Sequence, residues 1–452
     1  MPDAPKDHVF QAYPATPGAV VSTLFRATID GEPLSVEAYA GISYVRFAFS
    51  GVVVVQIRVD GEVGATRILP RDAAVAETGA DGSLRLTLTE PRPFVAWIGD
   101  REKLFVLADP PERAPVPDGT GVVAVAPPDA GTAPAGLATL AMQSALDRVA
   151  ALPGGGTVVL LPGRFVSGTI RIPGHVTLYV SAGALLEGSA DPADYPVDPG
   201  RIERGRDTTL DGDARFYGRT MTFSRLVLVD GATDVRIRGR GTISGSGRLL
   251  RTRHNAVPNL VRVRESRDVS IEDVLLRDAA AWTLHILASD GVAVSNVKIV
   301  NDRDNLNTDG IDPDMSTRVR IDRAFVYTKD DAICVKASRN DELEGDVVDV
   351  RVTDSVLSSR DAALKVGTES SAAVFRDIVF ERCWVFESGR AMSVVVRDGA
   401  AYERVTFRAI FVDRGVDHLV EQVIGVRDPQ AGLGSIRDLS FEDVHAPEYR
   451  VP

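Results

Sequence analysis

The chain has 452 residues, 44% of them hydrophobic and 25% charged, the proportions of an ordinary globular protein rather than a disordered or fibrous one. Its formal net charge of −12 argues against a nucleic-acid partner, which needs a basic face. No apolar run approaches the ~20 residues of a membrane span, so no membrane partner is expected either.

The opening residues, MPDAPKDHVFQAYPATPG, lack the charged-then-apolar pattern of a signal peptide. The chain as given therefore reads as cytoplasmic, or as secreted if a leader has been removed. Residues 1–112 alternate apolar and polar side chains in short runs such as SYVRFAF, LRLTLTE and FVAWIGD. Asp60-Gly61 and Asp81-Gly82 mark hairpin turns between such runs. Helical spacing is nearly absent, which predicts a small antiparallel β-sandwich. Residues 113–136 shift to Pro, Ala and Gly and read as a linker. Apolar residues at helical spacing predict a helix over 137–152, stopped by the glycines after Pro153.

From there to residue 452 the rhythm changes. A five-residue apolar-polar-apolar unit recurs as VTLYV at 176, VRIRG at 235, VSIED at 269, VAVSN at 292 and VRIDR at 319, then VRVTD, IVFER, VTFRA and LSFED at 350, 378, 405 and 439. From 269 onward the starts recur within the period of roughly 20–50 residues that marks a solenoid, whose repeats bury one continuous core. The units are β-rich with no helix between them, so the fold class is all-β, a parallel β-helix capped by the 137–152 helix. A long β-sandwich is the alternative, but sandwiches do not repeat their strand pattern in register. Cys334 and Cys383 lie inside apolar strand-like segments and read as buried thiols rather than a disulfide.

The segment Asn305–Lys336 holds six aspartates. Asp309 precedes the adjacent pair Asp330-Asp331 by a separation that matches one turn of such a coil. Strands on successive coils lie ~4.8 Å apart, so three carboxylates would crowd one spot. Crowding pushes carboxylate pKa values apart, letting one act as an acid and another as a base. Counting nearly the same distance past each unit adds Trp282, Asp361, Arg390 and His418 to the same column as Asp331, with Arg360 over Asp330 and Asp309 joining after a short insertion. An aromatic ring, acids, an arginine and a histidine in one stripe suit an oligo- or polysaccharide. A solvated ladder of outward side chains is the bland alternative; a lone tryptophan in it would be unusual.

Residues 137–400 resemble the polygalacturonase-like family, glycoside hydrolase family 28. The resemblance rests on MQSALDRVAALPGGGTVVLLPGRF, VRIRGRGTISGSG, VSIEDVLLRDAAAWTLHI and NTDGIDPDMSTRVRIDRAFVYTKDDAICVKA in that order. The N-terminal stretch PRPFVAWIGDREKLFVLADP is similar to the domain that precedes the helix in dextranase-like family 49 chains. The resemblance implies a right-handed parallel β-helix with an open groove, acting as an inverting glycoside hydrolase. It implies Asp330 as the general acid, with Asp309 and Asp331 activating the attacking water.

Two departures qualify the substrate. The family's Gly-His-Gly turn is replaced by Ser359-Arg360-Asp361-Ala362-Ala363, and its Arg-Ile-Lys strand by GRAMSVVVRDG. A buried sugar carboxylate without a cationic partner is costly, so a substrate other than plain polygalacturonate is expected. Arg360, Asp361, Lys365 and Glu369 are new groups that could read it, with Arg390, His418, Trp282 and the loop residue His254. No cofactor and no metal are expected. A β-helical lyase and a non-catalytic glycan-binding protein are the competing functions, and a cation site formed by the aspartates is a further alternative. The oligomeric state is not legible.

Overall fold

The structure, a computed structural model, describes residues 9–101, 103–113, 117–128, 136–196, 225–254, 256–338, 343–427 and 429–449. The nine five-residue units are the rungs of one parallel ladder. Val176, Val235, Val269, Val292, Val319, Val350, Ile378, Val405 and Leu439 stand in register from coil to coil. Within a unit the first and third side chains face the core; Val269 and Ile271 are buried while Ser270 between them is half-buried. In eight of the nine units the fifth residue turns the corner with a positive φ: Gly239, Asp273, Asn296, Arg323, Asp354, Arg382, Ala409 and Asp443, Val180 being the exception. Asp, Asn and Gly tolerate that left-handed conformation best, which is why they recur at this place in the repeat.

Each coil then adds a short second strand, a corner and a third strand, as in Arg267–Glu272, Leu275–Arg277 and Leu284–Leu287. Among the described residues the third strands form a nine-stranded parallel sheet running from Ile170–Arg171 to His418–Ile424. The first and second strands join in an 18-stranded one. Inside the coil identical chemistry stacks on itself: the rings of Phe380, Phe407 and Phe441 lie 4.8 and 5.2 Å apart and nearly parallel.

The expected helix forms over Thr139–Ala150 and buries Met142, Ala145, Leu146 and Val149 over the first coils. Each large apolar side chain so buried contributes roughly 1.5–3 kcal/mol. Gly155 ends the turn after it with φ +77; a Cβ there would meet the His175 carbonyl oxygen at 1.8 Å, so only glycine fits. Part of the stretch read as a linker is a strand: Val122–Val125 pairs with Gly156–Leu160 and starts the parallel sheet. Residues 114–116 and 129–135 of that stretch lie outside the described residues.

Ahead of the coil, seven- and five-stranded sheets enclose a core of Phe25, Phe47, Ile57, Leu86 and Phe94. The pairing is antiparallel except where Leu104–Asp109 runs parallel to Ile42–Ser50. Asp81-Gly82 makes the expected hairpin, joining Val75–Thr78 to Leu84–Leu88, with Ser83 donating to the Asp81 carboxylate. Asp60-Gly61 does not. Its flanking strands, Val53–Val59 and Thr66–Leu69, belong to different sheets, so this turn crosses the sandwich instead of closing a hairpin.

The sandwich docks on the second strands of the coil. Tyr44, Val95, Phe105 and Leu107 pack against Leu275, Val300, Phe325 and Tyr327. Beside this apolar patch Asp109 is fully buried and gathers Lys298 (Nζ), Arg240 (Nη1, 3.0 Å), Asn296 (Nδ2, 2.8 Å) and the Tyr13 hydroxyl (3.2 Å). Both cysteines are buried free thiols, as expected. Among the described residues no helix is long and apolar enough to cross a membrane.

Candidate active site

The acids sit at the corner between second and third strands, where the chain enters the nine-stranded sheet. Asp309 ends the loop before Ile311–Asp314, and Asp330-Asp331 lie in the corner before Ile333–Ala337. Those strands pair with Ile311 opposite Ile333, which puts Asp309 opposite Asp331. The Asn-Thr-Asp-Gly sequence is needed to close that approach. Gly310 donates to the Asp331 carbonyl at 2.8 Å, and a Cβ on it would meet the Ala332 carbonyl at 2.3 Å. Thr308 is fixed through its hydroxyl to the Asn305 carbonyl (3.0 Å), and its own carbonyl accepts from the Thr328 hydroxyl. One carboxylate oxygen from each of Asp309, Asp330 and Asp331 consequently lies within 4.8 Å of the others.

The buried Lys336 and the half-buried Lys365 form the floor of this cluster. Lys336 Nζ is 2.9 Å from Asp309 Oδ2 and 2.9 Å from Asp312 Oδ1. It also stands 4.1 Å from the centre of the Trp282 ring. Lys365 Nζ is 2.7 Å from Asp331 Oδ2, whose Oδ1 accepts from the Ala362 backbone N–H. Among the described residues Asp330 has no ion pair; its Oδ1 accepts from the Asp331 N–H at 3.0 Å. Four carboxylates thus face two ammonium groups. Full ionisation would leave two uncompensated charges (four minus two) in a nearly dry site, which is unfavourable.

Protonation relieves this. Burial, reinforced by the charges of Asp309 and Asp331, pushes the Asp330 carboxyl up to about 7. Burial, helped by the charges of Asp331 and Asp314, carries Asp312 to about 7 against the pull of Lys336. Asp309 is also pushed up by burial, with Lys336 pulling the other way. Burial works against the Lys336 ammonium, but Asp309 and Asp312 outweigh it and hold its pKa well above the usual lysine value. Asp309 Oδ1 is buried and has no hydrogen-bond partner among the described residues; the same holds for both oxygens of Asp312, of which Oδ1 is in ion-pair contact with Lys336. An acceptor in that condition is expected to bind a water or a substrate hydroxyl.

The raised Asp330 pKa has a consequence for stability. The folded chain keeps a proton that the unfolded chain releases near pH 4. The contribution of this group is complete below that pH, falls as pH rises to about 7, and is gone above it. Asp330→Asn should therefore raise the melting temperature by ~1–3 °C at pH 8 and leave it unchanged at pH 3. Equal shifts at both pH values in scanning calorimetry would remove this account of the site.

The other residues singled out in the sequence fall in three groups. Trp282 is half-buried opposite Asp309, and Lys365 belongs to the floor. Arg390 and His418 stand in register with Asp331 further along the groove. Asp361 and Arg360 are each one place off the column. The residue opposite Asp331 and Arg390 is Ala362, and Asp330 lies opposite Asp361, because Val319 pairs with Val350 and the register does not slip. Asp361 instead pairs with Arg390, which also reaches Glu421 at 3.0 Å. Arg360 is exposed, and Glu369 is half-buried 3.6 Å from Arg427. His254 is exposed at the end of the turn Leu250–His254. Arg251, earlier in the same turn, is the one that turns inward: burial holds it down to about 10 while the Asp330 charge pulls upward.

Sequence reasoning missed Lys336 and Arg251. Lys336 had a signal, a charged residue in the apolar strand ICVKA one coil after Asp309. Arg251 had none, because its reach depends on how the Gly247–His254 turn folds over the next coil.

Residues 191–348 match the model of glycosyl hydrolases family 28. The matched interval contains Asp309, Asp330 and Asp331, and the resemblance to polygalacturonase-like chains holds. A probable polygalacturonase of Vitis vinifera is 29% identical over 210 residues, 44% of this chain and 41% of that one. The chain thus spans less than half the length of that relative. Dex49A from Penicillium minioluteum superposes over 98% of this chain and 92% of its own, with a TM-score of 0.60 at 11% identity. The Yersinia enterocolitica family 28 exopolygalacturonase does so over 87% and 84%, with a TM-score of 0.57 at 16% identity. At these identities the two solved structures speak for the fold: a right-handed parallel β-helix behind a small, mainly antiparallel sandwich.

Proposed function

We propose that the chain is an O-glycoside hydrolase acting on an oligo- or polysaccharide other than plain polygalacturonate, by an inverting route. Asp330 is its general acid, and Asp309 and Asp331 hold and activate the water. The observation that carries this reading is the unequal pairing of three close carboxylates. Asp331 is tied to Lys365 and Asp309 to Lys336, whereas Asp330 has no cation of its own and keeps its proton up to about pH 7. A general acid works best with a pKa near the operating pH. The unsatisfied Asp309 Oδ1 is the natural acceptor for the water.

The separation within 4.8 Å is closer than the ~6.5–9.5 Å usual for inverting pairs and near the ~5–5.5 Å of retaining ones. Against direct attack, both oxygens of Asp331 are already engaged, by Lys365 and the Ala362 N–H. The anomer of the first product decides between the two.

The substrate reading rests on the cations. Lys365, Arg390 and Arg427 are each paired with a carboxylate, to Asp331, to Asp361 and Glu421, and to Asp398. A sugar carboxylate entering there would have to displace one of these anions. The test is a panel of dextran, arabinan, xylan, xylogalacturonan, rhamnogalacturonan and polygalacturonate, with the first product followed by proton NMR. Hydrolysis of a member other than polygalacturonate, with inversion, is expected. Exclusive cleavage of polygalacturonate would overturn the substrate reading, and a retained anomer the route. Ultraviolet-absorbing unsaturated products would point to a lyase.

A further inference from the structure

The groove above the acids is not the same on its two sides. The corners between second and third strands, on which the acids lie, differ in length along the coil. In the three coils before Asp330 they run from Ser244 to Asn259, from Arg277 to Leu284 and from Val300 to Ile311, although the corner of the first coil, from Ser167 to Ile170, is short. From Asp330 onward they run only from Thr328 to Ile333, from Ser359 to Ala362, from Val385 to Arg390 and from Val412 to His418. Long corners stand up from the coil, and short ones leave the groove low.

The long corners are also laced together. Arg251 in the Gly247–His254 turn donates through Nε to the Ala280 carbonyl of the next coil and through Nη2 to the Leu306 carbonyl of the coil after that. Arg248 reaches Asp302 at 3.2 Å. The two arginines fasten the first long corner across the intervening coil to the loop that carries Asp309.

Burial of the groove floor follows the same division. Arg262, His285 and Asp312 stand opposite one another on the outer face of successive third strands. They are polar, yet only 1%, 2% and 0% exposed. Further along the same face Lys365, Ser393 and Glu421 are in register, with Ser393 beneath Glu421; Lys365 and Glu421 are half-buried and the neighbouring His418 is exposed. Lys365 and Glu421 beyond the acids are thus more open than Arg262, His285 and Asp312 before them, while Ser393 under Glu421 is fully buried.

We propose that the groove is walled on the N-terminal side of the acids, so that the chain works from a polymer terminus and releases a mono- or disaccharide. The wall turn lies two coils before the strand of Asp309, ~10 Å at ~4.8 Å per coil, a span equal to one or two sugar rings. Trp282, half-buried on the coil between them, presents the ring against which the terminal sugar packs. Arg251, close enough to feel the Asp330 charge, closes the end. On the opposite side the low corners let the remaining polymer run out past Arg390 and His418.

The inference rests on the hydrolase reading, and one experiment separates the two. The polysaccharides of the panel above are digested with the intact chain, and product sizes are followed by gel and mass spectrometry from the earliest detectable turnover, when only primary cuts have been made. Mono- or disaccharide as the sole small product from the outset, with polymer length falling slowly, is the expected result. A ladder of intermediate lengths at that stage overturns the wall while leaving hydrolysis standing. No bond cleavage in any of the polymers overturns the hydrolase reading, and the proposal with it.

Discussion

Asp330→Asn is expected to fold like the parent chain and to lose turnover by ~10³-fold, within the ~10²–10⁴ that a general acid contributes. The exchange keeps volume and shape, and its neighbours tolerate it: the Asp331 N–H finds an amide oxygen in place of Oδ1, and no ammonium is left without its partner. What goes is one transferable proton. Asp309→Asn and Asp331→Asn should lose turnover as well, by ~10²-fold or more, but with a structural cost that Asp330→Asn avoids. Each leaves a lysine, the buried Lys336 or the half-buried Lys365, with one anion fewer. Asp361→Asn is the comparison. It sits one place off the column against Arg390, and its loss should be under tenfold. A chain with Asp330→Asn that turns over at near the parental rate removes Asp330 from the acid role. If all four variants lose rate equally, the loss reflects the groove as a whole rather than a division of labour among its acids.

A second large effect is expected far from the acids. Asp109→Asn should destabilise the chain by ~3–5 kcal/mol, the cost of stripping the anion from a buried ion cluster. Lys298 and Arg240 are almost fully buried and share this one carboxylate; among the described residues only Arg240 pairs with another, Asp273 at 2.9 Å. Burial already brings the Lys298 ammonium down to about 8 despite its pairing with Asp109. With the pKa depressed in the fold, the unfolded chain binds the extra proton between about 8 and the ordinary lysine value. Stability from this group therefore grows as pH rises through that window. Asp109→Asn should accordingly be least damaging at high pH, where Lys298 can be neutral. Unfolding curves at pH 7 and pH 10 check both parts. Asp72→Asn, which removes an exposed partner of Arg92, should stay within ~0.5 kcal/mol in the same assay. A loss at Asp109 no larger than at Asp72 would mean that the buried cluster does not hold the sandwich to the coil.

Much of the coil was legible in the residues. The five-residue unit carries its own explanation: two inward apolar side chains at its first and third places, then a corner residue that is left-handed in eight of the nine units and is Asp, Asn or Gly in five. Each such unit stands in register with the next, because one face of each strand must reach the shared core. The crowding of Asp309 with Asp330 and Asp331 followed from the same period. Register at single-residue resolution did not. Counting only nearly the same distance past each unit cannot distinguish Asp361 from Ala362; the ladder holds one fixed offset, from Val319 to Asp331 and from Val350 to Ala362. The Asp60-Gly61 turn misled for a similar reason: a turn dipeptide fixes the local bend, not the sheet to which the next strand goes. Electrostatic partners such as Arg251 with Asp330, or Asp109 with Lys298, are distant in the chain and left no local trace.

The measurement that bears most directly on the site is the dependence of Asp330→Asn on the leaving group. On the sugar identified by the panel, the variant is compared on the natural glycoside and on its 2,4-dinitrophenyl glycoside, whose phenolate departs without a proton. If Asp330 supplies that proton, the ~10³-fold loss on the natural bond shrinks to less than about tenfold on the aryl glycoside. Equal losses on both substrates would contradict the assignment, and with it the claim that three carboxylates on two adjoining coils divide the work of one glycosidic bond.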